Sequence, residues 1–580
     1  MSNGKLWKKL EPYINPNKKT QISPKQIINN SYNNSTTNVS NLFVNYFSSI
    51  TNKFKFEPYK NCFKYIDYHF NNISSLKQFT FTNPKFKIRE FELKEVSSAL
   101  GSLSKDSAAG NIEIDTAVLK GCAQEIAKPL TELFNRCLST GEIPDEFKIA
   151  QITPIYKGKG SKSDLENYRP ISVLSPISKI FEMLLAERIT DYFESNGLFN
   201  NIQFGFRKNL SCEIALNTMM EDWREALDGK DDVVSVFLDL SKAFDTIDHS
   251  LFLKKLDFYN FDESAINLLK NYLNNRLIKV KLNQTQSKSK SLKVGVPQGS
   301  ILGPLFFIIF INDFDKLNLS SKLILFADDS TLYLSGKDIE KLIETVKDDL
   351  KLISKWLDNN RLLINWKKTV AMHIPSSSHK KFQYKTFEIN IDGNSIPFVV
   401  ETKMLGVTID NQLTFTKHIS NLCKKINTKS FLLAKSNFLF SNKFKTTLFK
   451  LFIQSQFDYC ATLFMHISDK SVRDRLVRCF DKSVGRILGK EVMKLNDVEQ
   501  YEKLKEFNLM PFNFRQFYHF ITFTFSLIFF NNKKLTLKER IMRNTNKKTH
   551  TIQTRRSYAI PLYISKLSVF NNFNWVVKAL

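Results

Sequence analysis

Two stretches of the chain end apolar runs in carboxylates. In VSVFLDLSKAFDTIDH, Asp239 follows the run Val233–Leu238; in LFADDSTLYL, Asp328 and Asp329 join Leu323–Ala327 to Ser330–Leu334. Both patterns read as buried strands, the second as a hairpin with acids at its turn. Carboxylates gathered at one sheet edge repel each other unless a cation lies between them. Hard Mg²⁺ takes carboxylate and phosphate oxygens, and two such ions stabilise the attacking and leaving oxygens of an in-line displacement. The chemistry these residues suit is phosphoryl transfer on two Mg²⁺ ions, with Mn²⁺ as the substitute. An Asp-Asp pair is also an ordinary turn sequence, so the acids decide nothing by themselves.

Between the acidic stretches lies GVPQGSILGPLFFIIFINDF, residues 295–314. Its glycines let backbone approach a ligand closely, and Gln298 offers an amide to a nucleotide. Alone, this segment reads equally as a Gly/Pro turn before a core helix.

The ordered set IAQITPIYKGKG, NYRPISVLS, QFGFRKNLS, FLDLSKAFDTIDH, GVPQGSILGPLFF, LFADDSTLYL, NNRLLINWKKT and KMLGVTID resembles the reverse transcriptases of non-LTR retrotransposons, the jockey-like type above all. SNLFVNYFSSI, LFNRCLSTGEIPDEFK, QFDYCATLF and the TRRSYAIPL region extend the likeness from about residue 40 to the C-terminus. The resemblance implies an α+β right-hand polymerase of fingers, palm and thumb, with helical N- and C-terminal extensions. It implies an RNA template, a DNA primer and dNTPs. By position, Asp239 and Asp328 would ligate metal with help from the Leu240 carbonyl, and Asp329 would support them. Lys157 and Arg169 would meet the incoming triphosphate, and Gln298 would line the nucleotide pocket. Phe244, five residues past Asp239, would sit under the sugar, and Lys368 would lie near the nucleotide. Leu405 and Gly406 would form the turn that grips the primer. Bland readings stand beside these: a surface ion pair for Arg169, a solvated helix-end charge for Lys368, ordinary core for Phe244.

Four departures qualify the likeness. Relatives often carry an apurinic-type endonuclease upstream; none is recognised here, so nicking by that route is not expected. The loop SKDSAAGNIEID lacks the Gly-Pro-Asp-Gly usual at its place. No ribonuclease H segment is recognised, and the ending NNFNWVVKAL reads as truncated. An RNA-dependent RNA polymerase shares the palm and the Asp-Asp turn, but an aromatic at 244 excludes a ribose hydroxyl. A silent nucleic-acid-binding remnant is disfavoured by intact Asp239, Asp328 and Gln298. A group II intron maturase is disfavoured by the lack of a maturase-type thumb and DNA-binding tail.

The acids need elements to place them. Helices are expected near Asn41–Ile50, over Thr116–Thr140 ending at Gly141, over Pro176–Asn196 capped by Ser175, and over Ile339–Trp356. Phe387–Phe398 reads as a hairpin turning at Asp392–Gly393–Asn394. Residues 15–40, rich in Asn, Ser, Thr and Lys, read as flexible. Past about residue 412 the chain reads as helical and basic. The expected divisions are a linker and helical segment over 1–90, fingers and palm over 91–411, a helical thumb over 412–490 and a basic C-terminal region over 491–580.

Composition fits this outline. The chain has 580 residues, 42% hydrophobic and 24% charged, and 84 Lys and Arg against 57 Asp and Glu give a net charge of +27. That excess favours a polyanionic partner. Seven scattered cysteines form no C-x-x-C, which points to a reducing intracellular compartment, cytoplasm or nucleus, rather than a disulfide framework. The start, MSNGKLWKKLEPY, has no apolar signal region. The apolar runs Ile301–Ile311 and Phe517–Phe530 are shorter than the roughly 20 residues that cross a bilayer; they read as core, and no membrane partner is expected.

Overall fold

The computed structural model describes residues 36–104, 108, 110, 114–376, 388–435, 440–464, 467, 469–489 and 497–527. Helix and sheet are mixed, and the chain divides into two compact units. The first comprises Met1–Asn200, Leu240–Asn318 and Lys351–Asn365; the second comprises Asn201–Asp239, Leu319–Leu350 and Trp366–Leu580. Strands among the described residues are β1 Ile149–Tyr156, β2 Tyr168–Val173, β3 Asp232–Leu238, β4 Arg276–Leu282, β5 Thr285–Gln286, β6 Lys290–Leu292, β7 Lys322–Phe326, β8 Asp329–Gly336, β9 Val370–Ile374, β10 Glu388–Ile391, β11 Asn394–Pro397, β12 Glu401–Met404 and β13 Val407–Asp410.

In the first unit β1 runs antiparallel to β2 and parallel to β4, and β4 also pairs β5 and β6. Alternation along β1 turns Ala150 and Ile152 to one face. The helix Thr36–Ser48 covers that face with Val39, Phe43, Val44 and Phe47, and Phe43 meets Tyr168 edge-on at 5.0 Å. This helix begins earlier than its expected start at Asn41, so residues 36–40 are not flexible: Val39 is fully buried in the core, which holds the first turn in place. Residues 15–35 lie outside the described residues.

The helix expected over Pro176–Asn196 spans Pro176–Ser195. Ser175 caps it, accepting from Ser178 N–H at 3.0 Å, and Gly197 leaves it at φ 62°. The helix expected over Thr116–Thr140 is instead two, Thr116–Gly121 and Ala123–Thr140. Gly121 is a poor helix former, and Cys122 beside it departs to φ −97°, ψ 22°. Gly141, at φ 72°, closes the second helix as expected. The run Ile301–Ile311 forms the buried helix Leu302–Phe310.

The second unit holds an antiparallel sheet in the order β7-β8-β3-β9. Every residue of β3 is buried, including Ser235 within the largely apolar run and Asp232 at its start, which accepts from Ser376 N–H at 2.8 Å. The helix Cys212–Asp228 sets Trp223 edge-on against Phe237 and Tyr333 of the sheet, at 6.4 and 6.1 Å. The hairpin β10–β11 turns through Asp392 and Gly393 at φ 49° and 79°, two successive positive φ values that suit a two-residue hairpin; Phe387 lies outside the described residues. Beyond Gln412 the described residues are mostly helical, chiefly Thr416–Lys435, Asn442–Phe449, Lys470–Leu488, Asp497–Glu506 and Phe512–Phe525. Over its described part the run Phe517–Phe530 is core on one side only, where Thr524 and Leu527 are buried. Phe517, Ile521 and Phe525 form an exposed stripe at helical spacing.

The expected helix Ile339–Trp356 runs Ile339–Asn359 and buries Leu342, Val346, Leu350 and Ile353. All seven cysteines are free thiols. Among the described residues no helix is long and apolar enough to cross a membrane.

Candidate active site

The registers of β3 bring the acids to one edge. Pairing with β8 runs from Asp232↔Gly336 to Leu238↔Ser330, so the next step sets Asp239 across from Asp329. Pairing with β9 runs from Val233↔Ile374 to Phe237↔Val370, so two further steps set Asp239 across from Lys368. The side chains agree: Lys368 Nζ lies 2.7 Å from Asp239 Oδ2, and Asp239 N–H donates to Thr369 Oγ1 at 3.3 Å. The edge therefore reads Asp329, Asp239, Lys368, with Asp328 in the turn between β7 and β8.

Charge is concentrated there. Partial burial, then the carboxylates of Asp328 and Asp239, push the Asp329 carboxyl from 3.8 up to about 6, while Lys368 opposes the shift. The ion pair of Lys368 and Asp239 faces solvent, with side chains 68% and 30% exposed, so water screens it. These hard oxygen donors fit a divalent cation. Among the described residues no group of three or more His, Cys, Asp or Glu is placed to hold a metal ion.

The acidic turn is braced by residues whose role the sequence did not disclose. Gln203, fully buried, accepts through Oε1 from Ala327 N–H at 3.0 Å and from Gly205 N–H at 2.8 Å. Phe204 N–H donates to Leu325 O at 2.8 Å, and Leu325 N–H to Ile202 O at 2.9 Å. A Cβ on Gly205 would stand 2.6 Å from Ala327 N, so only glycine fits. The QFG of QFGFRKNLS thus pins Ala327, which sits at φ 54°, immediately before Asp328. The motif was visible in sequence; its target, more than a hundred residues away, was not.

The first unit carries the other candidates. Gln298 donates through Nε2 to both carboxylate oxygens of Asp245, at 2.9 and 3.0 Å, and its carbonyl accepts from Ser172 N–H at 2.7 Å. Burial pushes the Asp245 carboxyl up to about 6, against the pull of Lys242, Gln298 and Lys157. Asp245 directly follows Phe244 and was missed as a site residue. Phe244 is half-buried against Phe307 at 4.9 Å, and its carbonyl accepts from Val296 N–H at 2.9 Å. Gly299, at φ 119°, has no space for a Cβ, which would meet Ser172 O at 2.5 Å. Beneath this loop the fully buried Glu182 accepts from Ile301 N–H at 2.7 Å and from Tyr272 Oη at 2.5 Å.

Lys157 donates through Nζ to Glu166 O at 2.6 Å, across its own hairpin. Arg169 lies opposite Ile155 on β2 and is exposed. Leu240 pairs with Ile364 in a short antiparallel bridge. Leu405 and Gly406 turn β12 into β13 at φ 46° and 84°. The structure thus gathers Asp239, Asp328, Asp329 and Lys368 in the second unit. It gathers Phe244 and Gln298 around Asp245 in the first. Leu405 and Gly406 stand on their own hairpin.

Residues 157–409, which include every candidate from Lys157 to Gly406, match the family model described as reverse transcriptase (RNA-dependent DNA polymerase). The chain is 30% identical over 368 residues to the "Probable RNA-directed DNA polymerase from transposon X-element" of Drosophila melanogaster, covering 62% of this chain and 39% of that protein. It is 29% identical over 339 residues to the "Probable RNA-directed DNA polymerase from transposon BS" of the same species, covering 57% and 37%. To the "RNA-directed DNA polymerase from mobile element jockey", also from that species, it is 27% identical over 423 residues, covering 70% and 45%. The chain thus spans less than half the length of these curated relatives. The resemblance to jockey-like enzymes read from the motifs is upheld.

Proposed function

We propose that this chain is the RNA-directed DNA polymerase of a non-LTR retrotransposon, extending a DNA primer on an RNA template with dNTPs. The observation that carries the reading is the edge row of Asp329, Asp239 and Lys368 with Asp328 in the adjoining turn. Asp239 and Asp328, with the Leu240 carbonyl, would hold Mg²⁺ or Mn²⁺. Bound there, the ions would neutralise charge on the attacking and leaving oxygens. Asp329 supports the row. Lys368, which pairs with Asp239 at 2.7 Å, would lie near the nucleotide and supply positive charge to its triphosphate. Lys157 and Arg169 meet the triphosphate, Gln298, fixed by Asp245, lines the nucleotide pocket, and Phe244 lies beneath the sugar. Leu405 and Gly406 grip the primer. In this reading residues 91–411 are fingers and palm, 412–490 thumb, with extensions on either side.

The test is primer extension by the purified chain on RNA and DNA templates with Mg²⁺. Extension with dNTPs on RNA is expected, and Asp239→Ala should lower it by roughly 10²–10³ or more, the loss typical of a removed transition-state electrostatic contact. Near-normal activity of Asp239→Ala would remove the site assignment. Equal use of rNTPs and dNTPs by the wild type would turn the reading toward an RNA polymerase.

A further inference from the structure

We infer that Tyr459 is a positioning residue for the primer: from the helical part of the second unit it fixes the Leu405–Gly406 turn. The inference rests on the polymerase reading above, in which that turn grips the primer.

The turn needs outside support. Leu405 sits at φ 46°, a left-handed conformation that L-residues with a Cβ avoid. Tyr459 supplies the support in two ways. Its Oη donates to Leu405 O at 2.5 Å, taking up a carbonyl at the tip of the hairpin. Its ring also lies against Gly406, where a Cβ would meet Cε1 at 3.3 Å and Oη at 3.4 Å. Hydroxyl and ring thus constrain neighbouring residues of one turn.

A support must itself be held, and Tyr459 is held on both flanks. Asp458 receives a two-pronged pair from Arg515, Nε to Oδ1 at 2.7 Å and Nη2 to Oδ2 at 2.6 Å, with His519 Nε2 at 3.0 Å from Oδ1. Thr462 donates through N–H and Oγ1 to Glu213 Oε1, at 2.9 and 2.6 Å, and its Oγ1 accepts from Asn217 at 2.8 Å. Glu213 and Asn217 lie on the helix Cys212–Asp228, which carries Trp223 against the sheet of the acids. The turn is thereby referenced to the same sheet that carries Asp239. Tyr459 nevertheless remains 44% exposed, so the turn it backs is open to a ligand. Burial, and then hydrogen bonding to Cys212, push its phenol above the ordinary value of 10.0, so the hydroxyl stays a donor at working pH.

The experiment uses the full chain as wild type, Tyr459→Phe and Gly406→Ala. It measures dissociation of a labelled DNA primer annealed to RNA, the KM for the next dNTP on bound primer, and Tm. Losing one neutral hydrogen bond changes an equilibrium by about two- to tenfold. Tyr459→Phe should therefore speed primer–template dissociation by about that factor, with the dNTP KM shifted less than about twofold. Gly406→Ala should do the same or more, because alanine is strained at φ 84° and its methyl presses on the ring. If Gly406→Ala speeds dissociation and Tyr459→Phe does not, Tyr459 is not the support. A lowered Tm with dissociation and dNTP KM worsening in step also defeats it, since that marks general destabilisation. If both variants dissociate as wild type does, the inference fails and so does the assignment of the turn to the primer.

Discussion

Asp329 and Asp245 carry carboxyls raised to about the same value, about 6, in different units and with different neighbours. Asp329 owes part of its shift to two other carboxylates, and its opposing charge is an exposed lysine. Asp245 has no acid among the causes of its shift; burial dominates, and a glutamine amide bridges both its oxygens. Like-charge crowding is relieved by a cation, whereas burial is not. In the proposed reading the first arrangement would take a metal ion, whereas the second already holds the Gln298 amide. On that reading, similar shifts would have different origins, crowding by like charges in one place and burial in the other.

Replacing acids in the two regions should break this comparison most sharply. Asp328→Ala should cost roughly 10²–10³ or more in the rate of extension with little effect on dNTP KM. Asp245→Asn, which frees Gln298, should cost about tenfold, chiefly through dNTP KM, because a hydrogen bond to a charged group contributes about 1.5–3 kcal/mol and part is replaced by the new amide. Similar losses in the same kinetic parameter would show that the regions do one job. Steady-state kinetics with a matched primer–template separates the outcomes.

Phe244 tests the Asp245 region from its other side. If the ring lies beneath the sugar, Phe244→Val should raise rNTP over dNTP use by about tenfold to a hundredfold, since crowding an extra atom into a packed site costs about 1–3 kcal/mol. If the ring is only a packing partner of Phe307, both substrates should suffer alike. The ratio of kcat/KM for a matched pair decides between them.

The smallest effect concerns pH. Both folded carboxyls keep their protons to about pH 6, whereas an unfolded aspartate releases its proton near 3.8. Between those values the folded state binds more protons, so metal-free stability should fall as pH rises from about 4 to about 6 and stay low above that. Mg²⁺ should lift the share due to Asp329 and leave that of Asp245. Asp245→Asn should flatten the remaining slope. Urea titrations at several pH values, with EDTA or with Mg²⁺, read both; a slope that Mg²⁺ leaves untouched in wild type would mean that the acidic edge takes no cation.

What was legible in the sequence was local. Val233–Leu238 is apolar except for Ser235 and is followed by an acid, and it became a buried strand with that acid just beyond its end. Ser175, Pro176 and Gly197 marked one helix because caps act within a turn of the chain. The break at Cys122 was missed because a helical stripe can continue in sequence across a local kink. Gln203, Gly205 and Tyr459 escaped notice as supports for another reason. Their partners Ala327 and Leu405 are brought near only by tertiary pairing, which no spacing rule encodes. The exposed stripe of Phe517, Ile521 and Phe525 was misread as core because hydrophobicity alone does not say what covers a face.

The central strand β3 behaves like a ruler. Its two neighbours fix Asp239 by counting residues, one step beyond Ser330 on one side and two beyond Val370 on the other. Alternation of side chains means that losing one residue anywhere in Val233–Leu238 would slide the remainder and turn the acid to the opposite face. Exchanging Val234 or Val236 for another apolar residue would leave the count intact. The chemistry is therefore forgiving of which apolar residues fill this strand and intolerant of how many there are: a library of single-residue deletions across β3 should be uniformly dead, while conservative substitutions at the same positions remain active.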